Sequence, residues 1–212
     1  MAWDIEETRR RLKAAAVEEF AARGLAGTTM DSIARRASVN KERIYHYFGD
    51  KERLFNAVVA DELARVAAAV PIASVRELDV GEFAGLVFDY HATHPHLARL
   101  LHWEGLSTGR PLPDDERRTG HYRTMVDTFT EGQRDGELAD DLDAAHQVFL
   151  IIALAAWWFA VPQVVRMLTG NSADGPQDRA LQRRAVVIAA RRLALPLTSA
   201  EAVGTADRAE PA

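Results

Sequence analysis

The sequence predicts an all-α protein. Apolar residues recur at helical spacing along most of the 212 residues, and no stretch of useful length alternates as a strand would. Polar caps, glycines and prolines separate the periodic segments. With 48% hydrophobic and 27% charged residues, the chain has the composition of a globular protein with a sizeable core. We therefore expect about nine helices, arranged as an N-terminal head and a larger helical domain.

The first helix is predicted from Asp4, as its cap, to Arg23, with Gly24 as the residue that ends it. One side of this helix is apolar and closes the head. The apolar side consists of Ile5, Leu12, Ala16, Val17 and Phe20.

A second, short helix follows. Thr28 or Thr29 caps it, and Asp31 is placed to complete a Thr-x-x-Asp capping box. Its apolar side consists of Met30, Ile33, Ala34 and Ala37. Ser38, Val39 and Asn40 then form a tight turn.

A third helix is predicted from Lys41 to about Tyr47, with Asn40 as its cap. Ile44 and Phe48 face inward. The opposite side is polar and consists of Lys41, Glu42, Arg43, Tyr45 and His46. Two short helices around a tight turn, the second with a polar face, are typical of a helix-turn-helix that binds DNA.

The residue types on this face suit the major groove. Lys41 and Arg43 can donate to guanine O6 and N7. Glu42 can accept from a cytosine amino group, and the alternatives are a solvated charge or a repulsive contact against wrong sequences. The full set of predicted DNA-binding residues is Thr29, Asn40, Lys41, Glu42, Arg43, Tyr45, His46, Tyr47 and Lys51. For Tyr45 and Tyr47, packing within the head is the alternative, and Arg9 to Arg11 either contact a phosphate or the minor groove or are solvated.

The segment from Thr28 to Phe55 resembles the DNA-binding segment of the tetracycline-repressor (TetR) family. The matching residues are Thr28-Thr29, Ile33-Ala34, Val39, Lys41, Ile44 to Phe48 and Lys51-Glu52. The resemblance is detailed from about Arg10 to Leu63, and beyond Leu63 only the helical character matches. The chain departs from the family at Glu42 and Arg43, where smaller residues are common, so an operator sequence cannot be transferred.

This resemblance implies a function. It implies a transcriptional regulator, usually a repressor, that binds a palindromic DNA operator as a homodimer and is released by a small-molecule effector. It also implies that the helix after the head connects the two domains. We expect a DNA-binding domain over residues 1–49, a ligand-binding and dimerisation domain over 50–196, and a disordered tail over 197–212.

The remaining helices follow from periodicity and from caps. They are predicted from Asp50 to about Val70, from Gly81 to Thr93, from Pro95 to about Ser107, from Asp114 or Asp115 to about Arg134, from Asp141 or Asp143 to about Thr169 with a kink at Pro162, and from Gln177 to Ala194. The segments Pro71 to Asp79 and Gly109 to Pro113 are predicted as loops.

The last two long helices are the predicted dimer interface. The segment from Val148 to Val161 is apolar nearly all round, so we expect it to pack on its own domain and on a second subunit. The last helix has an apolar seam made of Leu181, Ala185, Ile188 and Leu195.

Five of the seven histidines, with aromatic residues nearby, lie in the predicted larger domain between residues 91 and 121. We interpret this content as a regulatory pocket with the candidate residues His91, His102, Trp103, Glu104, Tyr122, Met125, Phe129, Trp157 and Trp158. The alternative is a metal-dependent helical enzyme that uses His91, His94, His96 and His102. Plain core or surface histidines remain a third interpretation.

Composition narrows the function classes. There is no cysteine, and we find no nucleophile elbow, phosphate loop or paired catalytic motif, so an enzyme, a metal or a cofactor is not expected. The longest uncharged apolar run has 14 residues, fewer than the about 20 needed to span a membrane, and a cytoplasmic location is expected.

Residues 1–51 hold ten lysines and arginines against eight carboxylates, whereas the whole chain has a net charge of −5. A mildly basic head on an acidic body favours DNA contact through the head.

Overall fold

The computed structural model describes residues 2–71, 79–107, 115–170 and 175–196, without the side chains of 2–4 and 115–118. Most of the predicted loop from Pro71 to Asp79, the predicted turn around Pro111 and Pro113, and the predicted tail lie outside these ranges. The fold can therefore be compared with the sequence prediction element by element within them.

The described residues form ten α-helices and no strand, which confirms the predicted all-α class. The helices are α1 Ala2–Gly27, α2 Met30–Ala37, α3 Lys41–Phe48, α4 Lys51–Ala69, α5 Val80–Thr93, α6 Pro95–Leu106, α7 Asp115–Arg134, α8 Ala144–Ala160, α9 Pro162–Thr169 and α10 Pro176–Ala194.

One predicted helix is two helices. The sequence predicts a helix from Asp141 or Asp143 to about Thr169 with a kink at Pro162. The change of direction at Pro162 is confirmed, but it is a break with a bend of 88° between two helices, α8 and α9, and not a kink within one. Proline lacks the N–H that the helix needs, and its ring clashes with the preceding turn. Within the described ranges no single helix is long and apolar enough to cross a membrane, and only this bent pair, taken together, has the length and composition.

The chain forms two compact units. The described residues of the first unit lie within 1–69, 90–119 and 157–162, and those of the second lie within 70–89, 120–156 and 163–212. The core of the first unit is apolar, and the Phe20 and Phe55 rings meet edge to face at 5.1 Å. Its buried residues include Leu12, Ala16, Ile33, Ala37, Ile44, Phe48, Leu54, Val58, Val59 and Leu100.

One predicted inward-facing residue is exposed. The prediction for Ile5 is wrong, since Ile5 is 45% exposed: the first turn of α1 precedes Leu12, where the core cluster begins. In the second unit the pocket candidate Tyr122 is 40% exposed, whereas the candidates Met125 and Phe129 on the same helix are buried. A tyrosine ring at the surface keeps its hydroxyl in contact with water.

Polar contacts hold α10 in the second unit. Arg183 donates to Asp89 at 2.8 Å and to Glu82 at 3.1 Å, and Arg191 donates to Asp79 at 2.7 Å. These pairs join α10 to α5 and to the residue before it. The side chain of Gln147 is buried and donates to the Leu193 carbonyl at 3.2 Å, which joins α8 to α10.

Candidate nucleic-acid interface

The turn between α2 and α3 is held by backbone hydrogen bonds and by one arginine. Ser38 ends α2 in the left-handed conformation, with φ 53° and ψ 44°. The Val39 N–H donates to the Ala34 carbonyl at 3.0 Å. Arg11 of α1 donates from Nη2 to the Ala37 carbonyl at 2.5 Å. The arginine therefore satisfies the last carbonyls of α2 and fixes the turn against α1.

The start of α2 differs from the prediction. The Thr29 hydroxyl accepts from the Ser32 N–H at 3.1 Å, and the Ser32 hydroxyl oxygen accepts from the Thr29 N–H at 3.3 Å, which completes a capping box. Ser32, and not Asp31, is therefore the box partner. A box needs its second residue three positions after the cap, and the cap is Thr29, while Thr28 is buried and donates to the Glu19 carbonyl.

The second helix of the motif, α3, presents a polar face. Asn40 caps α3 as predicted, accepting from the Glu42 N–H at 3.0 Å. Ile44 and Phe48 are buried against the core cluster. The residues exposed on the other side are Glu42, Arg43, Tyr45 and His46. Lys41 and Tyr47 are half-buried, and Tyr47 packs partly on the core cluster.

Lys41 already has a carboxylate partner. Its Nζ lies 2.8 Å from Asp31 Oδ2, and it also lies 6.0 Å from the centre of the Tyr45 ring. The hydrogen bond to Asp31 raises the pKa of Lys41 above its usual value. The pair links the start of α2 to the start of α3 and holds the ammonium group at the edge of the polar face.

Two other predicted DNA-binding residues have structural partners. Lys51, the first residue of α4, donates from Nζ to the Thr28 carbonyl at 2.9 Å. The Thr29 hydroxyl accepts from Ser32 but, as an O–H group, still has its own proton to donate. Both side chains therefore stabilise the loop between α1 and α2 and lie beside helix N-termini, where backbone amides face anions.

A buried carboxylate fixes α2 on α1. Glu19 is 4% exposed, and its two oxygens accept from Arg36 Nε at 2.7 Å and from Arg23 Nη1 at 2.5 Å. Burial alone raises the pKa of Glu19, but hydrogen bonds from Arg36 and Ser32 and the positive charges of both arginines lower it below 4.5. Glu19 is therefore ionised near neutral pH and holds Arg36 of α2 against α1.

The three arginines near the start of α1 have distinct partners. Arg10 forms an ion pair with Glu7 at 2.6 Å. Arg9 lies 5.8 Å over the centre of the Phe48 ring, and Arg11 contacts the turn described above. Arg9 and Arg11 therefore contact other parts of the head, while Arg10 and Glu7 form an exposed pair within α1.

The predicted pocket residues separate into several places. His102 and Trp103 line one groove of about 410 Å³ in the first unit, and the Trp157 ring lies 6.0 Å from the His102 ring. His91 is buried in the first unit, with its ring 5.9 Å from the Phe159 ring. Three of the other candidates, Tyr122, Met125 and Phe129, belong to the second unit. Glu104 and Trp158 are half-buried in the first unit.

The histidines considered as metal ligands have different partners. His94 stacks on Tyr90 with 4.1 Å between the ring centres, His96 Nε2 lies 2.7 Å from Glu62 Oε2, and His102 Nδ1 donates to the Ala98 carbonyl. Burial, together with the charge of His94, lowers the pKa of His91 to about 4. In the part of the chain that the structure describes, no three His, Asp or Glu side chains converge on a point that could hold a metal ion.

Several residues that shape the interface were missed by sequence reasoning. Arg36 pairs with the buried carboxylate of Glu19, Asp31 partners Lys41, and Arg11 holds the turn. The position of Glu19 on the inward side of α1 could have predicted an ion pair there, because a buried charge requires a partner. No local signal links Arg11 to Ala37, since these residues are 26 positions apart.

This geometry defines a helix-turn-helix DNA-binding protein: a rigid turn and a second helix with an exposed, mixed basic and aromatic face. Comparison with protein families agrees with it. Residues 12–58 match the model of bacterial regulatory proteins of the tetR family, and residues 79–192 match the tetracyclin repressor-like C-terminal domain. The chain belongs to the TetR family and is a DNA-binding transcriptional regulator.

Relatives and solved structures cover most of the chain. The HTH-type transcriptional repressor SCO4008 of Streptomyces coelicolor is 39% identical over 191 residues, which is 90% of this chain and 96% of that protein. The crystal structure of the putative transcriptional regulator SCO4942 of the same organism has a TM-score of 0.74 at 32% identity and covers 88% of this chain and 98% of that one. The fold is also similar to that of the regulator FadR from Bacillus subtilis in complex with stearoyl-CoA, with a TM-score of 0.61, 20% identity, and coverage of 84% and 95%.

Proposed function

We propose that this regulator is a repressor that binds a near-palindromic operator as a homodimer and releases it when a small molecule binds its helical domain. The observation that carries the proposal is the exposed face of α3, where Arg43, Tyr45 and His46 stand on a helix fixed by its neighbours. The name of the similar repressor SCO4008 supports repression. Because the target is DNA, we place the protein in the cytoplasm.

On DNA, α3 lies in the major groove. Arg43 and Lys41 read base edges, since cationic donors match guanine O6 and N7. Tyr45, His46 and Tyr47 contact phosphates, and Thr29, Asn40 and Lys51 position helix ends whose amides face the backbone. Glu42 is exposed at the start of α3 and is placed to accept from a cytosine or to exclude a wrong base.

A dimer is supported by apolar side chains that one chain leaves exposed. On α8, Phe149 is 68% exposed, and on α10, Leu181 is 61% and Ile188 is 39% exposed. The two helices are joined through Gln147 and Leu193. We infer that they pair with their copies, so that two heads reach adjacent major grooves about 34 Å apart.

The response to a small molecule is supported by the fold. The similar regulator from Bacillus subtilis holds stearoyl-CoA. The effector acts by binding more tightly to a conformer in which the two heads do not match the operator. Coupling of about 1–3 kcal/mol gives a 5- to 150-fold change in DNA affinity, which is enough to regulate.

The test begins with selection of bound duplexes from a random pool by the purified full chain at near-physiological salt. The recovered duplex is then used to measure the affinity of Lys41→Ala and Arg43→Ala. We expect an enriched inverted repeat and a loss of about 5- to 150-fold in affinity for each variant, because each removes a base contact of about 1–3 kcal/mol. Unchanged affinity in both variants contradicts the proposal.

Asp31→Ala is the matched control for Lys41→Ala. Both variants break the same ion pair, but only Lys41→Ala removes the cation. If Lys41 contacts DNA, Asp31→Ala keeps or increases the affinity while Lys41→Ala lowers it. If the pair only stabilises the motif, both variants lower the affinity together.

A further inference from the structure

A groove with a volume of about 410 Å³ opens on the surface of the first unit. This volume lies within the range of about 300–1,000 Å³ that is usual for small-molecule sites. Its walls come from α1, from α6 and from the end of α8. The lining residues are Ala21, Ala22, Ala98, Arg99, His102, Trp103, Leu106 and Ala160.

The aromatic wall of the groove is fixed. Trp103 donates from Nε1 to the Ala21 carbonyl at 3.3 Å. Its ring packs so closely on the backbone of Gly24 that a Cβ there would lie 2.6 Å from Trp103 Cδ2. The ring is therefore held between the end of α1 and α6. Four alanines and the exposed side chain of Leu106 make the other lining surface small or apolar.

The polar edge of the groove carries one cationic donor and one acceptor. Arg99 is exposed, and no hydrogen bond or ion pair joins it to another residue that the structure describes. His102 uses Nδ1–H to donate to the Ala98 carbonyl at 2.9 Å, so in the neutral ring Nε2 accepts from an O–H or N–H group of a ligand. The lining contains a guanidinium and an imidazole but no carboxylate. This edge is complementary to an anion, and a guanidinium matches a carboxylate best.

The two ends of the groove differ in charge. Arg99 and Leu106 lie seven residues apart on α6, and a rise of about 1.5 Å per residue separates them by about 10 Å along the helix axis. Leu106 is the last residue of α6, where the helix end carries partial negative charge and disfavours an anion. An acidic ligand therefore places its carboxylate toward Arg99 and its apolar body toward Leu106.

We infer that this groove binds an organic acid whose single carboxylate is followed by an aromatic or aliphatic body about 10 Å long. Arg99 holds the carboxylate, and Trp103 and Leu106 contact the body. This inference rests on the proposed function, because it identifies the bound acid as the effector of the regulator. Because α1 forms one wall, the occupant touches a helix of the DNA-binding head directly.

The binding test uses phenylacetate, 4-phenylbutyrate and octanoate as probes, each paired with its neutral amide. Isothermal titration calorimetry is performed on the full chain without DNA. We expect at least one acid to bind at least tenfold more tightly than its amide. We expect Arg99→Gln to remove that preference, while Arg123→Gln, an exposed arginine on α7, leaves it unchanged. No binding by any acid, equal binding of acid and amide, or unchanged binding to Arg99→Gln overturns the inference.

A second pair of variants locates the ligand. Ala22 is exposed and lines the groove, so Ala22→Trp fills the groove without disturbing the core. Ala14 is exposed on the same helix outside the groove, and Ala14→Trp is the control. We expect Ala22→Trp to weaken acid binding at least tenfold and Ala14→Trp to leave it unchanged. Equal affinities for both variants overturn the location.

DNA affinity is measured separately, with the duplex recovered by selection. If the groove is the effector site, saturating acid weakens DNA binding of the wild type and does not change DNA binding of Arg99→Gln. Acid binding that leaves DNA affinity unchanged overturns the effector role. Failure of the proposed function appears elsewhere, as absence of an enriched duplex or of any effect of Arg43→Ala, so the two failures are distinct.

Discussion

Buried polar side chains fix the local structure of the first unit. Glu62 of α4 is fully buried and is bonded by His96 of α6 and by Arg65. Burial raises the pKa of Glu62, but the hydrogen bond from His96 and the nearby positive charges lower it below 4.5. The Glu62 and His96 pair therefore joins the helix that leaves the head to the helix that lines the groove. Removal of His96 leaves one oxygen of the buried Glu62 carboxylate without its hydrogen bond, while Arg65 still bonds the other.

His91 predicts a dependence of stability on pH. Its pKa of about 4 in the folded protein is below the usual value of 6.5. Between about pH 4 and pH 6.5 the unfolded chain binds more protons at His91 than the folded protein does. The contribution of His91 to stability is therefore complete above about pH 6.5 and is lost as the pH falls. From about pH 7 to about pH 5 we expect His91 to lower the free energy of unfolding by about 2 kcal/mol.

The measurement is urea unfolding at the two pH values for the wild type, His91→Phe and Tyr90→Phe. His91→Phe removes the titrating group, and we expect the pH-dependent loss to shrink by about 2 kcal/mol. Tyr90 is the matched control: the Tyr90 hydroxyl and His91 Nδ1 are both buried without a hydrogen-bond partner among the described residues, but Tyr90, with a raised pKa, does not titrate here. If the free energy of unfolding changes by the same amount between the two pH values in the wild type and in His91→Phe, the assignment of this pH dependence to His91 is contradicted.

At the scale of elements, the first helix shows how one residue sets a boundary. Gly24 has φ 66° and ψ −177°, which ends the regular part of α1 where the sequence predicts, and a further turn continues to Gly27. A side chain at Gly24 meets the strain of positive φ and also the Trp103 ring, 2.6 Å from the Cβ position. The boundary of α1 and the wall of the groove therefore depend on the same glycine.

We expect Gly24→Ala to destabilise the protein by about 2–4 kcal/mol, from left-handed strain together with overpacking against Trp103. Gly105→Ala is the control, since Gly105 is helical and nothing lies within 4 Å of its Cβ position. That variant should stabilise the protein by about 0.5–1 kcal/mol. Thermal and urea unfolding measure the change in stability of both variants. Equal effects of the two substitutions contradict the role given to Gly24.

Residue types and helical spacing in the sequence predict the features that lie within one helix, but not the contacts between helices. Asn40 as a cap, the end of regular helix at Gly24 and the inward positions of α2 follow from residue type and spacing within one or two turns. The ion pair of Lys41 with Asp31 and the groove between Ala22, Arg99 and Ala160 join residues from different helices. Helical periodicity describes one element at a time, and carries no information on which side chains of separate helices meet.

The whole molecule carries exposed apolar faces that one chain does not cover. The predicted seam of Leu181, Ala185, Ile188 and Leu195 is exposed, with Leu195 just after the end of α10, while Val186 and Ala190 face inward. On α8, Ile151 and Ala155 are buried, and Phe149 is exposed. Apolar residues exposed at helical spacing on two adjacent helices favour a symmetric helical interface.

We expect Phe149→Glu and Leu181→Glu to convert a dimer into folded monomers, because each places a charge in an apolar interface. Operator affinity should then fall at least tenfold, since one head loses its partner. Leu106→Glu is the matched control: Leu106 is 71% exposed, more than Leu181 at 61%, but lies on α6. Sedimentation equilibrium gives the mass and circular dichroism checks folding. Wild-type protein that sediments as a monomer at micromolar concentration refutes the dimer.

The ion pair between Lys41 and Asp31 affects how operator binding responds to salt. A cation that meets a phosphate alone displaces about 0.9 condensed counterion from duplex DNA. Lys41 brings Asp31 with it at 2.8 Å, and the pair is neutral overall. In the proposed complex, a DNA contact made by Lys41 therefore displaces fewer ions than a contact made by an unpaired cation. The slope of log affinity against log salt concentration is then shallower than the number of cationic contacts predicts, so operator affinity falls less as the ionic strength rises.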